Sequence, residues 1–170
     1  MTIAIIEGYD SIGYNAFQNT LYLTSITIGD SVTSIGKNLF NAYANNNPAL
    51  KELTIGKGVT NIGDSAFTFA TKLTSVTFEE GSQLTSIGAG AFSYNYDLTS
   101  INIPSTITTI GQSAFYACYA LESIDIQDTV ENIGDYAFYE CKKLKNINTY
   151  NIMPTSIKTI GGRVFKNTLI

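Results

Sequence analysis

The sequence predicts an α/β repeat solenoid, a rod of stacked turns with a parallel β-sheet on one face and short helical turns on the other. Three observations lead to this prediction. The dipeptide Ile-Gly recurs seven times, a phenylalanine stands four residues after each of these glycines, and a short apolar segment of period two accompanies the repeat. Self-similarity at a period of roughly 20–50 residues is typical of stacked repeat architectures. The 170 residues fit a single domain, residues 1–170.

The Ile-Gly dipeptides set the period of the repeat. They begin at Ile12, Ile35, Ile62, Ile87, Ile110, Ile133 and Ile160. Successive dipeptides are 23, 27, 25, 23, 23 and 27 residues apart, so the basic unit has 23 residues and three units carry insertions. The insertions fall at 45–48, 79–82 and 150–154, where a solenoid is expected to have loops.

Other apolar positions keep the same register. The phenylalanines are Phe17, Phe40, Phe67, Phe92, Phe115, Phe138 and Phe165. Between repeats, an Ile-x-Ile type of segment alternates inward apolar and outward polar residues, which predicts a short strand. The Gly-x-x-Ala-Phe segment predicts a short helix or tight helical turn, in which glycine permits a sharp bend. A parallel β-helix, whose turns are nearly all strand, is the alternative that this segment argues against.

This pattern resembles the leucine-rich repeat superfamily. More narrowly, it is similar to the BspA-like repeats, whose unit reads roughly L-x-x-I-x-I-P-x-x-V-x-x-I-G-x-x-A-F-x-x-C. The segment from Leu98 to Cys118 is the best match, and it includes Pro104. The resemblance covers essentially the whole chain and implies a right-handed leucine-rich-repeat solenoid of about seven 23-residue turns. It also implies a non-catalytic surface or secreted protein that works in adhesion or partner capture.

Composition argues against several classes of function. The chain has 10 basic and 14 acidic residues, a formal net charge of −4, and no histidine. The lack of histidine excludes Ser-His and Cys-His catalysis, and two cysteines alone do not complete a zinc site. The negative charge argues against nucleic-acid binding, and no apolar run is long enough to insert into a membrane. We therefore predict no enzyme, no metal and no cofactor.

The outward positions of the predicted strands are the candidate binding site. They form two ladders of small, hydrogen-bonding and mostly uncharged side chains that face away from the core. The first ladder comprises Ser25, Glu52, Ser75, Ser100, Ser123 and Asn146, and the second comprises Thr27, Thr54, Thr77, Asn102, Asp125 and Asn148. Such a surface suits a protein or glycan partner. The alternative is a solvated sheet face built from residues that favour strands.

Tyrosines and cysteines form two further patterns. Six tyrosines cluster around the predicted helical turns of three adjacent repeats, namely Tyr94, Tyr96, Tyr116, Tyr119, Tyr136 and Tyr139. They suit either an interface or packing against neighbouring turns. Cys118 and Cys141 stand one period apart and are expected to stack on adjacent turns. We predict buried, reduced thiols at these positions, because free cysteine packs as a small apolar residue.

The resemblance implies an extracellular or cell-surface location. Residues 1–7 lack the basic region and the long apolar region of a secretory signal, so we expect no signal peptide here. An intracellular or viral setting is therefore the alternative location.

Charge is segregated along the chain, which suggests a second function. Residues 1–140 carry 4 basic and 14 acidic groups, whereas residues 141–170 carry 6 basic groups and no acidic group. Neither end has the polar capping repeat that solenoids normally need for solubility. Head-to-tail self-association into a filament or ring is therefore the alternative to a binding module.

Overall fold

The chain folds as a parallel β-solenoid of short strands. A computed structural model describes residues 2–40, 48–148 and 152–170, and within these ranges every regular element is a strand. The strands are β1 Ile3–Ile6, β2 Ser11–Ile12, β3 Ser25–Ile28, β4 Ser34–Ile35, β5 Glu52–Ile55, β6 Asn61–Ile62, β7 Ser75–Phe78, β8 Ser86–Ile87, β9 Ser100–Ile101, β10 Thr109–Ile110, β11 Ser123–Ile124, β12 Asn132–Ile133, β13 Asn146–Ile147 and β14 Thr159–Ile160.

The odd-numbered strands form the parallel sheet that the Ile-x-Ile segments predict. Their register places Ser25 opposite Glu52, and Ile26 opposite Leu53. The inward side chains Ile26 and Leu53 are buried, whereas Glu52 is exposed. Alternation of apolar and polar residues thus selects which face of each strand enters the core, and the predicted parallel sheet is confirmed.

A seam divides this sheet between β7 and β9. The strands pair in the orders β1-β3-β5-β7 and β9-β11-β13, as two separate sheets. In earlier turns, the residue after the strand donates its N–H to the turn before: Gly56 to the carbonyl of Ile28 (2.7 Å), and Glu79 to that of Ile55 (3.0 Å). Pro104 occupies the next such position. Because proline has no N–H, this row of hydrogen bonds stops at the seam.

The even-numbered strands form a second sheet that the sequence analysis did not predict. All seven pair in parallel, in the order β14-β12-β10-β8-β6-β4-β2. Each has two residues and ends on the isoleucine of an Ile-Gly dipeptide, as Asn61–Ile62 and Ser86–Ile87 do. Two residues are too few for a period of two to be visible in the sequence.

The predicted short helical turns are wrong, because the Gly-x-x-Ala-Phe segments are not helical. Ser65 and Phe69, two residues before and after Phe67, have φ angles of +54° and +57°. A right-handed helix requires negative φ and hydrogen bonds within the segment. Here the N–H of Phe67 instead donates to the carbonyl of Ala91 on the next turn (2.9 Å). Residues with positive φ thus point alternate N–H groups toward the next turn of the solenoid.

The prediction of about seven turns is also wrong, since the solenoid has about six. Seven odd-numbered strands, β1 to β13, lie side by side along the rod. A complete turn runs from one of these strands to the next, so seven strands delimit six turns. Counting repeats of a motif in the sequence therefore overestimates the number of turns by one.

Stacked phenylalanines fill the interior. Phe67, Phe92, Phe115 and Phe138 are completely buried. Neighbouring rings in this group are nearly parallel, with centroids 5.3 to 5.6 Å apart and interplanar angles of 2° to 13°. No single turn can bury such a ring, so the stability of the core arises from contacts between adjacent turns.

The glycines of the Ile-Gly dipeptides are needed for close approach of the turns rather than for a special bend. A Cβ atom on Gly63 would lie 2.6 Å from the carbonyl carbon of Gly36, and one on Gly36 would lie 2.7 Å from the carbonyl oxygen of Ile12. Neither glycine has a positive φ. The backbones of successive turns are therefore in direct contact at this column.

Two of the three predicted loop insertions, at 45–48 and 150–154, lie largely outside the described residues. The insertion at 79–82 forms a tight turn. The N–H of Ser82 donates to the carbonyl of Glu79 (3.1 Å), and Gly81 has a φ of +79°. This turn lies beside the seam, directly after β7.

Candidate functional site

The structure brings the predicted sheet-face residues together in two groups, separated by the seam. The front half-face comprises Ser25, Thr27, Glu52, Thr54, Ser75 and Thr77, which the pairing of β3, β5 and β7 holds in register. The rear half-face comprises Ser100, Asn102, Ser123, Asp125, Asn146 and Asn148, of which Ser100, Ser123 and Asn146 are paired through β9, β11 and β13. The residues of each group therefore lie on neighbouring strands, and β7 and β9 lie beside each other at the seam without forming a strand pair. That they bind a partner stays a prediction.

The rear half-face lines a shallow groove of about 420 Å³. Five of its six side chains are exposed. Asn148 differs from the others, because its backbone has a φ of +54° and its amide is already hydrogen-bonded. Its Oδ1 accepts from the N–H of Ile126 (2.6 Å), and its Nδ2 donates to the carbonyl of Ile152 (3.2 Å). Asn148 therefore holds a turn in place instead of offering a free amide to a partner.

The front half-face continues into a second groove that sequence analysis missed. This groove of about 540 Å³ is lined in part by Thr27, Thr54, Asp30 and Lys57. Lys57 Nζ lies 3.0 Å from the Asp30 carboxylate. Hydrogen bonds from the side chain and the backbone of Lys57 lower the pKa of Asp30. Asp30 and Lys57 are 27 residues apart, so the sequence shows their proximity only once the insertion is placed in the repeat.

The predicted tyrosine cluster is a set of ring columns on the surface, formed by Phe69, Tyr94, Tyr96, Tyr116, Tyr119, Tyr136 and Tyr139. We call it the tyrosine surface. Tyr96 stacks on Tyr119 with ring centroids 4.8 Å apart, and Tyr116 stacks on Tyr139 at 5.2 Å. Tyr119 is exposed, and the other rings of the set are half-buried.

Partial burial raises the pKa of two of these phenols. The pKa of Tyr96 is raised, mainly by desolvation and also by the neighbouring Tyr119. Desolvation likewise raises the pKa of Tyr116, with further contributions led by Tyr94. Tyr96 and Tyr116 therefore keep their hydroxyl protons as hydrogen-bond donors at neutral pH.

Cys118 and Cys141 are buried, as predicted, and neither takes part in a disulfide. Each thiol donates to a phenylalanine carbonyl of the preceding turn: Cys118 Sγ to Phe92 (3.2 Å) and Cys141 Sγ to Phe115 (3.1 Å). Burial raises the pKa of Cys141 to about 12 and that of Cys118 well above its usual range. Such thiols are poor nucleophiles, and they fill space in the core.

The described residues hold no group of three or more acidic, cysteine or histidine side chains placed to bind a metal ion. The same described ranges contain no apolar helix of membrane-spanning length.

The repeat matches one known protein family. The family described as BspA type Leucine rich repeat region matches residues 1–118 and 70–170, in six copies. Among curated proteins, no sequence is significantly similar to this chain.

Solved structures from bacteria share the fold. A leucine-rich repeat protein of T. pallidum is 25% identical with a TM-score of 0.77, over 89% of this chain and 70% of that one. A leucine-rich cell surface protein of Faecalibacterium prausnitzii is 29% identical with a TM-score of 0.71, over 98% and 45% of the two chains. A leucine-rich repeat protein of Bacteroides ovatus is 26% identical with a TM-score of 0.64, over 98% and 49%.

This chain thus spans about half the length of two of these three proteins. Leucine-rich repeat proteins are generally non-catalytic scaffolds that bind other proteins. The parallel solenoid described above has the leucine-rich repeat fold. The family match covers the whole sequence, so the chain belongs to the BspA-type leucine-rich repeat family.

Proposed function

We propose that this chain is a non-catalytic scaffold that captures a protein or glycan partner through its front and rear half-faces at a cell surface. The observation that carries the proposal is the register of the outward side chains. Parallel pairing repeats Ser, Thr, Asn and Asp side chains from strand to strand at about 4.7–4.9 Å. A regular, polar and solvent-exposed sheet offers many hydrogen-bonding groups to one extended partner.

The proposed location follows from similarity. The F. prausnitzii protein is described as a cell surface protein, and it is 29% identical to this chain. A surface scaffold meets macromolecules outside the cell, which is consistent with a polar, shallow binding face rather than a deep pocket for a small molecule.

Arginine substitutions on the rear half-face test this function. Ser100 and Ser123 are exposed neighbours in register, so the double variant Ser100→Arg/Ser123→Arg places two bulky side chains across the proposed contact. A screen of purified matrix proteins and glycans first identifies the partner of the unaltered chain. We expect the double variant to bind that partner at least about tenfold more weakly, a loss of about 1.4 kcal/mol.

The matched control is Ser105→Arg/Gln112→Arg, which adds the same charge at two exposed positions outside the half-faces. We expect its affinity to stay within about twofold of the unaltered chain. Equal losses in both double variants, or none in either, would show that the partner binds elsewhere.

End-to-end self-association is a second candidate function, favoured by the exposed apolar strand edges. The edge strand β1 exposes Ile3 (53%) and Ile5 (66%) on its outward face, in register with Ser25 and Thr27. The edge strand β14 exposes Ile160 (54%). Edges of this kind pair readily with other strands. The net charges of −10 on residues 1–140 and +6 on residues 141–170 would attract two copies head to tail.

Light scattering over a range of protein concentrations tests this candidate. At low salt we expect the mean mass to rise with protein concentration. At high salt we expect a lower mean mass at the same concentration, because salt screens the attraction. The variant Ile5→Lys should abolish the rise by placing a charge on the β1 edge. Asn102→Lys, on an exposed position away from that edge, should leave it unchanged. A constant monomeric mass at low salt would rule the candidate out.

A further inference from the structure

Two tyrosines of the tyrosine surface contact a cation on the following turn. Lys142 stands one period after Tyr119, and its Nζ lies 4.7 Å from the centre of that ring. The Arg163 guanidinium lies 5.9 Å from the ring centre of Tyr136, and its Nη1 donates to the phenolic oxygen at 3.4 Å. Lys142 extends the stack of Tyr96 and Tyr119, whereas Arg163 lies over Tyr136, whose ring meets Tyr139 edge-on.

Backbone register places a third cation in the same arrangement. The N–H of Ala117 donates to the carbonyl of Tyr139 (2.8 Å), and the N–H of Glu140 donates to that of Lys166 (3.0 Å). Lys166 therefore occupies the position on its turn that Tyr139 occupies on the turn before. Lys143, which follows Lys142, is exposed beside it. We call Lys142, Lys143, Arg163 and Lys166 the cation edge of the tyrosine surface.

The cation edge retains most of its charge. Two other lysines near this end are neutralised elsewhere, Lys145 by Glu122 (3.5 Å) and Lys158 by Glu131 (2.8 Å). Within the part of the chain that the structure describes, Lys143 and Lys166 have no carboxylate within 4.0 Å, and Lys142 shares Glu140 at 3.4 Å. Lys143, Arg163 and Lys166 are therefore exposed cations without a carboxylate partner among the described residues.

We propose that the cation edge binds an acidic polysaccharide, with lysine and arginine contacting its carboxylates or sulfates and the tyrosine hydroxyls donating to its oxygens. This site lies outside the half-faces, so it stands or falls independently of the proposed scaffold function. Charged donors and neutral hydroxyls side by side match a polymer that carries both acidic groups and sugar hydroxyls.

The overall negative charge does not oppose this binding. Six turns at about 4.7–4.9 Å each give a rod on the order of 29 Å long. At physiological salt, exposed charges are screened beyond about 8 Å. The acidic groups of the earliest turns therefore lie several screening lengths from the cation edge. On the last turns, Glu140 is paired with Lys142. Glu122 and Glu131 are paired with Lys145 and Lys158.

Ring stacking favours a polysaccharide over a nucleic acid. Proteins that bind single-stranded nucleic acids offer aromatic faces on which bases stack. Here the facing sides of Tyr96 and Tyr119, and of Tyr116 and Tyr139, are covered because the rings lie at 6° and 9° to one another. Lys142 covers the outer side of Tyr119. Tyrosine hydroxyls can donate to the oxygens of a sugar without a free ring face.

Heparin, a sulfated polysaccharide, is the probe for the test, with neutral dextran and single-stranded oligothymidylate as comparison ligands. We expect the full chain to bind heparin with an affinity that falls steeply as salt rises, and not to bind dextran. The variant Lys142→Gln/Lys143→Gln/Lys166→Gln should weaken binding at low salt by at least about tenfold. It should also reduce the slope of log K against log salt by about three, because each lost contact removes roughly one released counterion.

The matched control is Lys37→Gln/Lys51→Gln/Lys72→Gln, which removes the same charge from exposed lysines on other turns. It should lose less than about twofold in affinity, and thermal unfolding of both triple variants should match that of the unaltered chain. Equal losses in the two triple variants would overturn the site, as would a lack of heparin binding by the unaltered chain. Oligothymidylate binding as tight as heparin binding would overturn the polysaccharide assignment.

Discussion

The variant Gly63→Ala is expected to unfold at a much lower urea concentration than the unaltered chain, with a loss of about 3 kcal/mol or more in the free energy of unfolding. A Cβ at this position would lie 2.6 Å from the carbonyl carbon of Gly36 and 2.8 Å from the carbonyl oxygens of Gly36 and Ile35. Backbone atoms on a hydrogen-bonded turn cannot move aside as a side-chain end can. The two turns would have to separate, which breaks the contacts that stabilise a solenoid.

Gly13→Ala provides the control. It changes the same residue of the Ile-Gly motif, but a Cβ there meets no atom within 4 Å. Its free energy of unfolding should change by no more than about 0.5 kcal/mol. Similar losses at Gly13 and Gly63 would mean that glycine is needed for its conformational freedom and not for the close approach of turns.

Phe92→Ala is expected to cost about 3–5 kcal/mol in the free energy of unfolding. Phe92 is completely buried and stacks between Phe67 and Phe115, with ring centroids 5.5 and 5.6 Å away. Removing the ring leaves a cavity in the middle of the stack and separates the two halves of the column. For a chain of this length, the melting temperature should fall by on the order of 10 °C.

Phe17→Ala is the matched control, because Phe17 stacks only on Phe40 at 5.6 Å and is half-buried. Calorimetry should show a clearly smaller fall in melting temperature for this variant. Equal effects at Phe17 and Phe92 would contradict a stability that depends on neighbours on both sides.

The sequence alone was sufficient to predict the parallel sheet, the inward phenylalanine column and the burial of the cysteines. Each of these depends on residue type at a constant spacing. Ile26 and Leu53 are inward in β3 and β5 because apolar residues alternate with polar ones. Cys118 and Cys141 are buried because they follow Phe115 and Phe138 at the same distance. Seven repetitions make such a pattern visible without any structure.

The predicted helical turns are wrong because the backbone, and not the side-chain pattern, decides the conformation of the Gly-x-x-Ala-Phe segments. Residues such as Ser65, Phe69 and Tyr136 are left-handed, although none of these types favours positive φ. They adopt it because alternate N–H groups then bond to the next turn, which satisfies backbone donors that would otherwise be buried. A segment whose sequence resembles a short helix therefore forms a row of backbone hydrogen bonds with the adjacent turn. The short strands of the second sheet also form through backbone hydrogen bonds between turns.

The two half-faces also depend partly on the sequence pattern and partly on how the turns pack. The sequence determined which residues point outward and which family the chain belongs to, because both follow from residue types at fixed positions in a repeat. Tertiary structure decided that the sheet divides between β7 and β9. It also decided that the Asn148 amide is hydrogen-bonded to the backbone of Ile126 and Ile152, and that cations lie against the last tyrosines. Those outcomes depend on which turn stacks on which and at what register. Insertions of two and four residues shift that register, so it is fixed only when the turns are packed against one another.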